Sequence, residues 1–266
     1  MHAPFDLDAG TRGFYEDPVY YDHEFKNRTQ DVAWYTDRYV EAGDVCLELA
    51  VGSARIAAKA VRRGARIVGV DLSAEMLAQA ERRRSTLPLK LRDHLELHQA
   101  DMRDFDLGRT FSLITCPFNA FQHLYTREDV ARCLAMVRRH LAPGGRFIVD
   151  VLMPDLEYLS RSALRWYAGS RFRHPRHNAW YTYAERSAYD PVLQLNQMWF
   201  RLVRDPGEEW GPEEITFQLS HRVFFPQEME AHLHAAGLRL VEFQGDFQGA
   251  PLGKDAESMV VIAELA

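Results

Sequence analysis

The sequence predicts an α/β protein: a doubly wound, mostly parallel sheet interrupted by an inserted antiparallel β-subdomain. Three observations carry that expectation. From Asp44 to Pro154 short apolar runs alternate with segments of helical period, the pattern of a parallel sheet covered on both faces. Between Arg171 and Phe225 the pattern changes to long alternating stretches joined by polar turns, which describes sequential antiparallel strands. A helix and two apolar strands then close the chain.

Taken in order, residues 29–42 read as a helix stopped by Gly43, within a segment rich in rings: Phe14, Tyr15, Tyr20, Tyr21, Phe25, Trp34, Tyr35 and Tyr39. "DVCLELAV" is a strand, and "SARIAAKAVRRG" a helix with a glycine stop. "ARIVGVDLS" is the next strand, and "SAEMLAQAERRR" a helix capped by Ser73. "LELHQADM" and "FSLITCPFNA" are strands, "TREDVARCLAMVRRHL" a helix capped by Thr126, and "GRFIVDVLM" a strand. Right-handed crossovers between such strands give the doubly wound arrangement. Three or four strands follow, including "NAWYTYAERSAYD", "VLQLNQMWFRLVR" and "EITFQLSHRVFF". In the second of these, Leu193, Leu195, Gln197, Trp199 and Arg201 share one face. "PQEMEAHLHAAG" resumes the helical period, and "LRLVEFQGDF" and "SMVVIAEL" are the last strands.

Composition bounds the function. Across 266 residues, 38 acidic side chains outnumber 32 Lys and Arg, which argues against a chain built to coat nucleic acid or an anionic membrane. Cys46, Cys116 and Cys133 are scattered, with no CxxC pair, which suits a reducing compartment and no structural zinc. "HPRH" (His174–His177) lacks a third ligand, so no metal is expected. The N-terminal stretch has no apolar signal core, and no run approaches the ~20 apolar residues of a membrane span. A cytoplasmic protein is expected.

The chemistry-bearing segments sit at strand ends. In an open α/β sheet, ligands bind at the carboxyl ends of the strands. The turn "LAVGSAR" after the first strand brings backbone N–H groups there, and Gly52 permits close approach. Asp71 ends "RIVGVD", nineteen residues past Gly52, where an acid can accept hydrogen bonds from both ribose hydroxyls. Asp101, in "QADMRDF", ends the following strand and can reach an adenine edge. A nicotinamide site wants G-x-G-x-x-G, which the chain does not supply.

These segments resemble the class I S-adenosylmethionine (SAM)-dependent methyltransferases. The family's loop reads like E-L-G-C-G-T-G-R. "ELAVGSAR" matches it at Glu48, Leu49, Gly52 and Arg55, with Ala50, Val51, Ser53 and Ala54 in place of Gly, Cys, Thr and Gly. Alanine tolerates positive φ poorly, so a tighter or shifted loop is expected. "GVDLSAEML", "ADMRDF" and "HLAPGGRFIVDV" follow in the family's order, and the likeness spans residues 45–151. The resemblance implies a Rossmann-like methyltransferase sheet with an antiparallel final strand. It implies SAM as cofactor, and S-adenosylhomocysteine as product. The cofactor residues it implies are Glu48 at the ammonium end, Arg55 at the carboxylate, Asp71 at the ribose and Asp101 at the adenine. Ala50, Gly52, Leu72, Met76, Met102, Phe118 and Tyr15 would complete the pocket.

The segment "CPFNAFQHLYT" (Cys116–Thr126) resembles small-molecule N-methyltransferases of the sugar-amine and glycine/sarcosine types. That likeness implies an acceptor-facing residue at or near His123, able to take a proton or orient the nucleophile. The alternative is a histidine that packs against the helix and satisfies a carbonyl. The resembling enzymes fold their N-terminal segment over SAM, which makes Tyr20 and Tyr21 the other catalytic candidates. The resemblance divides the chain into a cap or lid (1–42), a SAM-binding core (43–155), an inserted sheet serving as acceptor roof or dimer interface (156–225), and a closing segment (226–266). "PFN" is not the N-P-P-Y/F loop of base-methylating enzymes. A small-molecule acceptor with no nucleic-acid or membrane partner is therefore expected, N-methylation ahead of O- and C-methylation. A non-catalytic SAM-binding protein and an RNA or protein methyltransferase are the alternatives.

Overall fold

A computed structural model describes residues 6–266. In chain order the helices and strands are α1 (Leu7–Arg12), α2 (Pro18–Glu24), α3 (Gln30–Ala42), β1 (Val45–Leu49), α4 (Ala57–Arg62), β2 (Arg66–Asp71) and α5 (Ala74–Ser85). There follow β3 (Leu95–Gln99), β4 (Phe111–Cys116), α6 (Arg127–His140), β5 (Leu141–Leu152), α7 (Leu156–Leu159), β6 (Tyr167–Arg173), β7 (Trp180–Asp190) and β8 (Leu195–Arg204). Last come β9 (Glu214–Arg222), α8 (Pro226–Ala235), β10 (Leu238–Gln244) and β11 (Ser258–Leu265). They form two compact units: one from the chain up to Lys26 with Pro154–Val223, the other from Asn27–Met153 with Phe224–Ala266. The N-terminal 42 residues, expected as one cap, are thus divided between the units.

The larger unit is a seven-stranded sheet of order β10-β11-β5-β4-β1-β2-β3. Its strands are parallel except β11, which runs antiparallel to both β5 and β10. Period-two alternation splits the core into two layers. Leu47, Leu49, Val68 and Val70 face the layer of α6 and α8. Cys46 and Ile67 face the layer of α3 and α4, where Trp34, Tyr35 and Tyr39 are buried. Alternation therefore sends Glu48 to the α3 side, where Tyr39 meets it. The rings of α3 pack this core, which is why the helix belongs to the larger unit. All three cysteines are buried free thiols.

The smaller unit is the antiparallel sheet β6-β7-β8-β9. Its four strands lie where alternation predicted three or four. Phe14 packs on Phe200 and Phe217, and Tyr20 on Phe172 and His174. β9 is an edge strand, and α1 runs against it: a Cβ on Gly10 would collide with Ser220 Oγ, and one on Gly13 would lie 3.1 Å from the Gln218 backbone nitrogen. Two glycines so placed let a helix cover an edge that would otherwise invite pairing.

Candidate functional site

The loop after β1 keeps a left-handed backbone at three alternate positions: Ala50 (φ 53°), Gly52 (φ 57°) and Ala54 (φ 57°). The alanines adopt the strained left-handed conformation themselves. Neighbouring contacts hold it. Val51 N–H donates to Val70 O at 3.0 Å, and Val51 sits where a Cβ on Gly69 would be, 2.8 Å away. The left-handed Ala54 also delays the helix, which starts at Ala57 rather than at Ser53.

Asp71 ties this loop down. One carboxylate oxygen accepts the Gly52 N–H at 2.7 Å, the other the Ser73 N–H at 2.8 Å. Burial raises its pKa, and the N–H groups of Ser73, Gly52 and Leu72 offset part of that rise. The carboxylate keeps acceptor capacity for a further donor. Beside it Leu72 is 51% exposed, and Met76 lies under Gly52. Ser73 caps α5 by accepting from Met76 N–H. Ala100 N–H donates to Asp71 O, which places the end of β3 next to the acid.

The remaining candidates are engaged in ways spacing did not reveal. The Arg55 guanidinium donates to the buried Asp31 at 2.6 Å and to Arg28 O at 3.0 Å. It also lies over the Phe118 ring, as does that of Arg28. Asp101 accepts the fork of Arg103 at 2.7–3.1 Å, and Arg103 continues to Asp129 at 2.6 Å. These bonds hold the Asp101 carboxyl below its ordinary range against the opposing effect of burial. Met102 is half-buried beside it. Glu48 is buried; its carboxylate accepts from the Tyr39 hydroxyl at 2.7 Å, and Tyr39 also meets Thr115. Burial pushes Glu48 up to about 8.

The loop after β4 is held by an acid the sequence reading passed over. Asp150, in β5, is 0% exposed. It accepts from the Phe118 N–H at 2.8 Å, the Asn119 N–H at 3.2 Å and the Tyr35 hydroxyl at 2.7 Å. Phe118 and Asn119 are both left-handed, φ 60° and 62°. A signal existed: an Asp inside the apolar run "RFIVDVL" must be paired if that run is buried. His123 ends the 3-10 turn of this loop, with Nδ1 3.3 Å from the Tyr125 hydroxyl. Burial drives its pKa down to about 4, so the imidazole is neutral at physiological pH.

Tyr15, Tyr20 and Tyr21 lie in the smaller unit, grouped around Phe14. The Tyr20 hydroxyl donates to Glu24 at 3.3 Å, and burial raises its pKa further above the phenol range.

The residues of the larger unit fit SAM. Asp71 offers a carboxylate with spare acceptor capacity for a ribose hydroxyl, and exposed Leu72 offers an apolar shelf for an adenine. The Oδ1 of Asn119 is buried with no partner among the described residues, an acceptor suited to an amino group. No group of three or more His, Cys, Asp or Glu side chains among the described residues could hold a metal ion.

The chain matches the methyltransferase domain family over residues 46–145. It is 31% identical to the dTDP-3-amino-3,4,6-trideoxy-alpha-D-glucopyranose N,N-dimethyltransferase of Streptomyces venezuelae over 187 residues, 70% of each chain. It is 30% identical to the dTDP-3-amino-3,6-dideoxy-alpha-D-glucopyranose N,N-dimethyltransferase of Streptomyces fradiae over 127 residues, 48% of this chain and 47% of that one. In fold it is similar to the CcbJ methyltransferase of Streptomyces caelestis, with a TM-score of 0.75 and 22% identity over 90% of each chain.

Proposed function

The chain belongs to the class I SAM-dependent methyltransferases, and from that premise we propose that it methylates the amine of a small, sugar-like acceptor. The observation that carries the acceptor class is the likeness to aminosugar N,N-dimethyltransferases. SAM supplies an electrophilic methyl group on a sulfonium, and the protein supplies binding, alignment and electrostatics.

In this reading the Asp71 carboxylate receives the ribose hydroxyls while still holding Gly52 in place. Leu72, Met76 and Met102 wall the adenine, and Ala50 and Gly52 present backbone. Glu48 and Asn119 face the cationic amino end. Arg55 and Asp101 act through Asp31 and Arg103, and Phe118 is a wall under two guanidiniums. His123 orients the acceptor amine as a neutral hydrogen-bonding group. An imidazole of pKa about 4 is too weak a base to strip an ammonium, so the amine reaches the site already deprotonated. The enzyme works in the cytoplasm on a soluble acceptor. A homodimer through the β6 edge is the oligomer this reading expects, and light scattering of the purified protein checks it.

The test is an assay of the purified enzyme with SAM against an aminosugar and its hydroxyl counterpart, read by mass spectrometry. One or two added methyl groups on the amine, and none on the hydroxyl, support the reading; methylation of the hydroxyl alone overturns it. The rate should climb with pH towards the acceptor's own pKa with no inflection near 6.5, the ordinary histidine value. An inflection there that His123→Ala removes would return His123 to the role of base.

A further inference from the structure

Within the smaller unit, four side chains form a cationic and aromatic group that the proposed chemistry does not use. Arg186 on β7 pairs directly with Trp199 on β8. Its guanidinium carbon lies 4.8 Å from the Trp199 ring centre and 5.1 Å from that of Trp166, which immediately precedes β6. The Arg201 guanidinium lies 4.6 Å from the same Trp166 ring. Trp199 and Arg201 are two apart on β8 and share a face. Small residues make the room: Ala184 pairs with both Ala168 and Arg201.

The charges of this group are unbalanced. Among the described residues neither Arg186 nor Arg201 has a carboxylate partner, and the Nε of each is buried without an acceptor. This is unexpected in a chain where 38 acids outnumber 32 Lys and Arg. A half-buried guanidinium without an anion carries a desolvation cost that ring contacts offset only in part. Flat, forked donors of this kind match phosphoryl oxygens. Two of them share one indole, the Trp166 ring, and two forks match two linked phosphoryl groups.

We propose that Trp166, Arg186, Trp199 and Arg201 form a binding site for a diphosphate, the diphosphate of a nucleotide-linked acceptor. The inference rests on the aminosugar reading for the identity of its ligand. The geometry and the charge imbalance stand apart from that reading.

The test is calorimetric titration of the full chain, saturated with S-adenosylhomocysteine, with dTDP, inorganic pyrophosphate and thymidine. Expected results are binding of dTDP and of pyrophosphate, weakened by salt, and none of thymidine. Arg186→Gln with Arg201→Gln should weaken dTDP at least tenfold, with near-ultraviolet circular dichroism and S-adenosylhomocysteine affinity unchanged. Arg→Lys at both sites, which keeps charge but loses the fork, should fall between. Binding of pyrophosphate with the affinity of dTDP would assign the site to the phosphates alone and keeps the proposal; binding of dTDP but not pyrophosphate would place recognition on the nucleoside and overturns it. It is overturned if neither ligand binds, if thymidine binds as well as dTDP, or if the double variant binds dTDP as the parent does. A change of oligomeric state without any change in dTDP affinity also overturns it, and marks the face as a contact between copies. Methylation of a phosphate-free aminosugar without dTDP binding would sink this site and leave the function intact. Binding of dTDP with no methylation of any amine would do the reverse.

Discussion

The loop after β1 and the loop after β4 solve one problem with one device. Each contains non-glycine residues in the left-handed region, Ala50 and Ala54 in the first, Phe118 and Asn119 in the second. Each is tied by a carboxylate from the adjacent strand: Asp71 of β2 holds Gly52, and Asp150 of β5 holds Phe118 and Asn119. They differ in what else the acid can do. Asp71 is partly exposed and has lone pairs to offer a ligand. Asp150 is fully buried, and the Tyr35 hydroxyl adds a third donor to the two backbone N–H groups. The first acid holds its loop from a partly exposed position, while the second does so from full burial.

Removing the buried acid should have the largest effect. Asp150→Ala strands two backbone N–H groups and the Tyr35 hydroxyl, at a cost of about 3 kcal/mol or more. Urea unfolding should show it as a lowered midpoint. Asp150→Asn keeps one acceptor and should lose less. If the alanine variant unfolds at the parent's midpoint, the β4 loop is held by something else.

Glu48 gives the next effect, in its pH dependence. Its folded pKa, about 8, lies above the ordinary 4.5 because burial favours the neutral acid. The native state therefore holds the proton more tightly than the unfolded chain. That contribution is complete below about pH 4.5 and is lost as pH rises through 8. Glu48→Gln should flatten the fall in ligand-free stability across this window. Parallel curves for parent and variant would show that Glu48 is ionised in the fold.

Relieving the strained alanines should give the smallest change. Ala50→Gly and Ala54→Gly each remove a left-handed penalty of roughly 1–2 kcal/mol and add about 0.5–1 kcal/mol of unfolded-state entropy. A net gain of about 0.5–1 kcal/mol each is expected, read as a raised Tm. A loss at Ala54, which is fully buried, would mean that its methyl contributes more to packing than its backbone costs.

The difference between the two loops also explains what could be read from the sequence. The place of Asp71 at the end of β2 was legible because it ends an apolar run and is followed by the Ser73 cap. The succession of strands and helices and the antiparallel sheet were legible because period and turn composition are local. So was the shared face of Trp199 and Arg201. The partners that fix the site were not. Asp31 meets Arg55 across 24 residues and Tyr35 meets Asp150 across 115, and only the fold brings such pairs together. The late start of α4 depended on a backbone angle at Ala54 that residue type argues against. The charges of Arg55 and Asp101 are met by neighbours, Asp31 and Arg103, that spacing did not reveal.

The central claim is that the alanine-bearing loop after β1, held by Asp71, is a working SAM site. Calorimetric titration of S-adenosylhomocysteine into the parent, Asp71→Ala and Asp101→Ala tests it most directly. Saturable binding by the parent is expected, with a loss of about 100-fold or more in Asp71→Ala, since charge-assisted bonds to the ribose and the loop anchor vanish together. Asp101→Ala, whose carboxylate is already engaged by Arg103, should lose only a few-fold. Folded parent protein that does not bind, or an Asp71→Ala variant that binds as well as the parent, would contradict it.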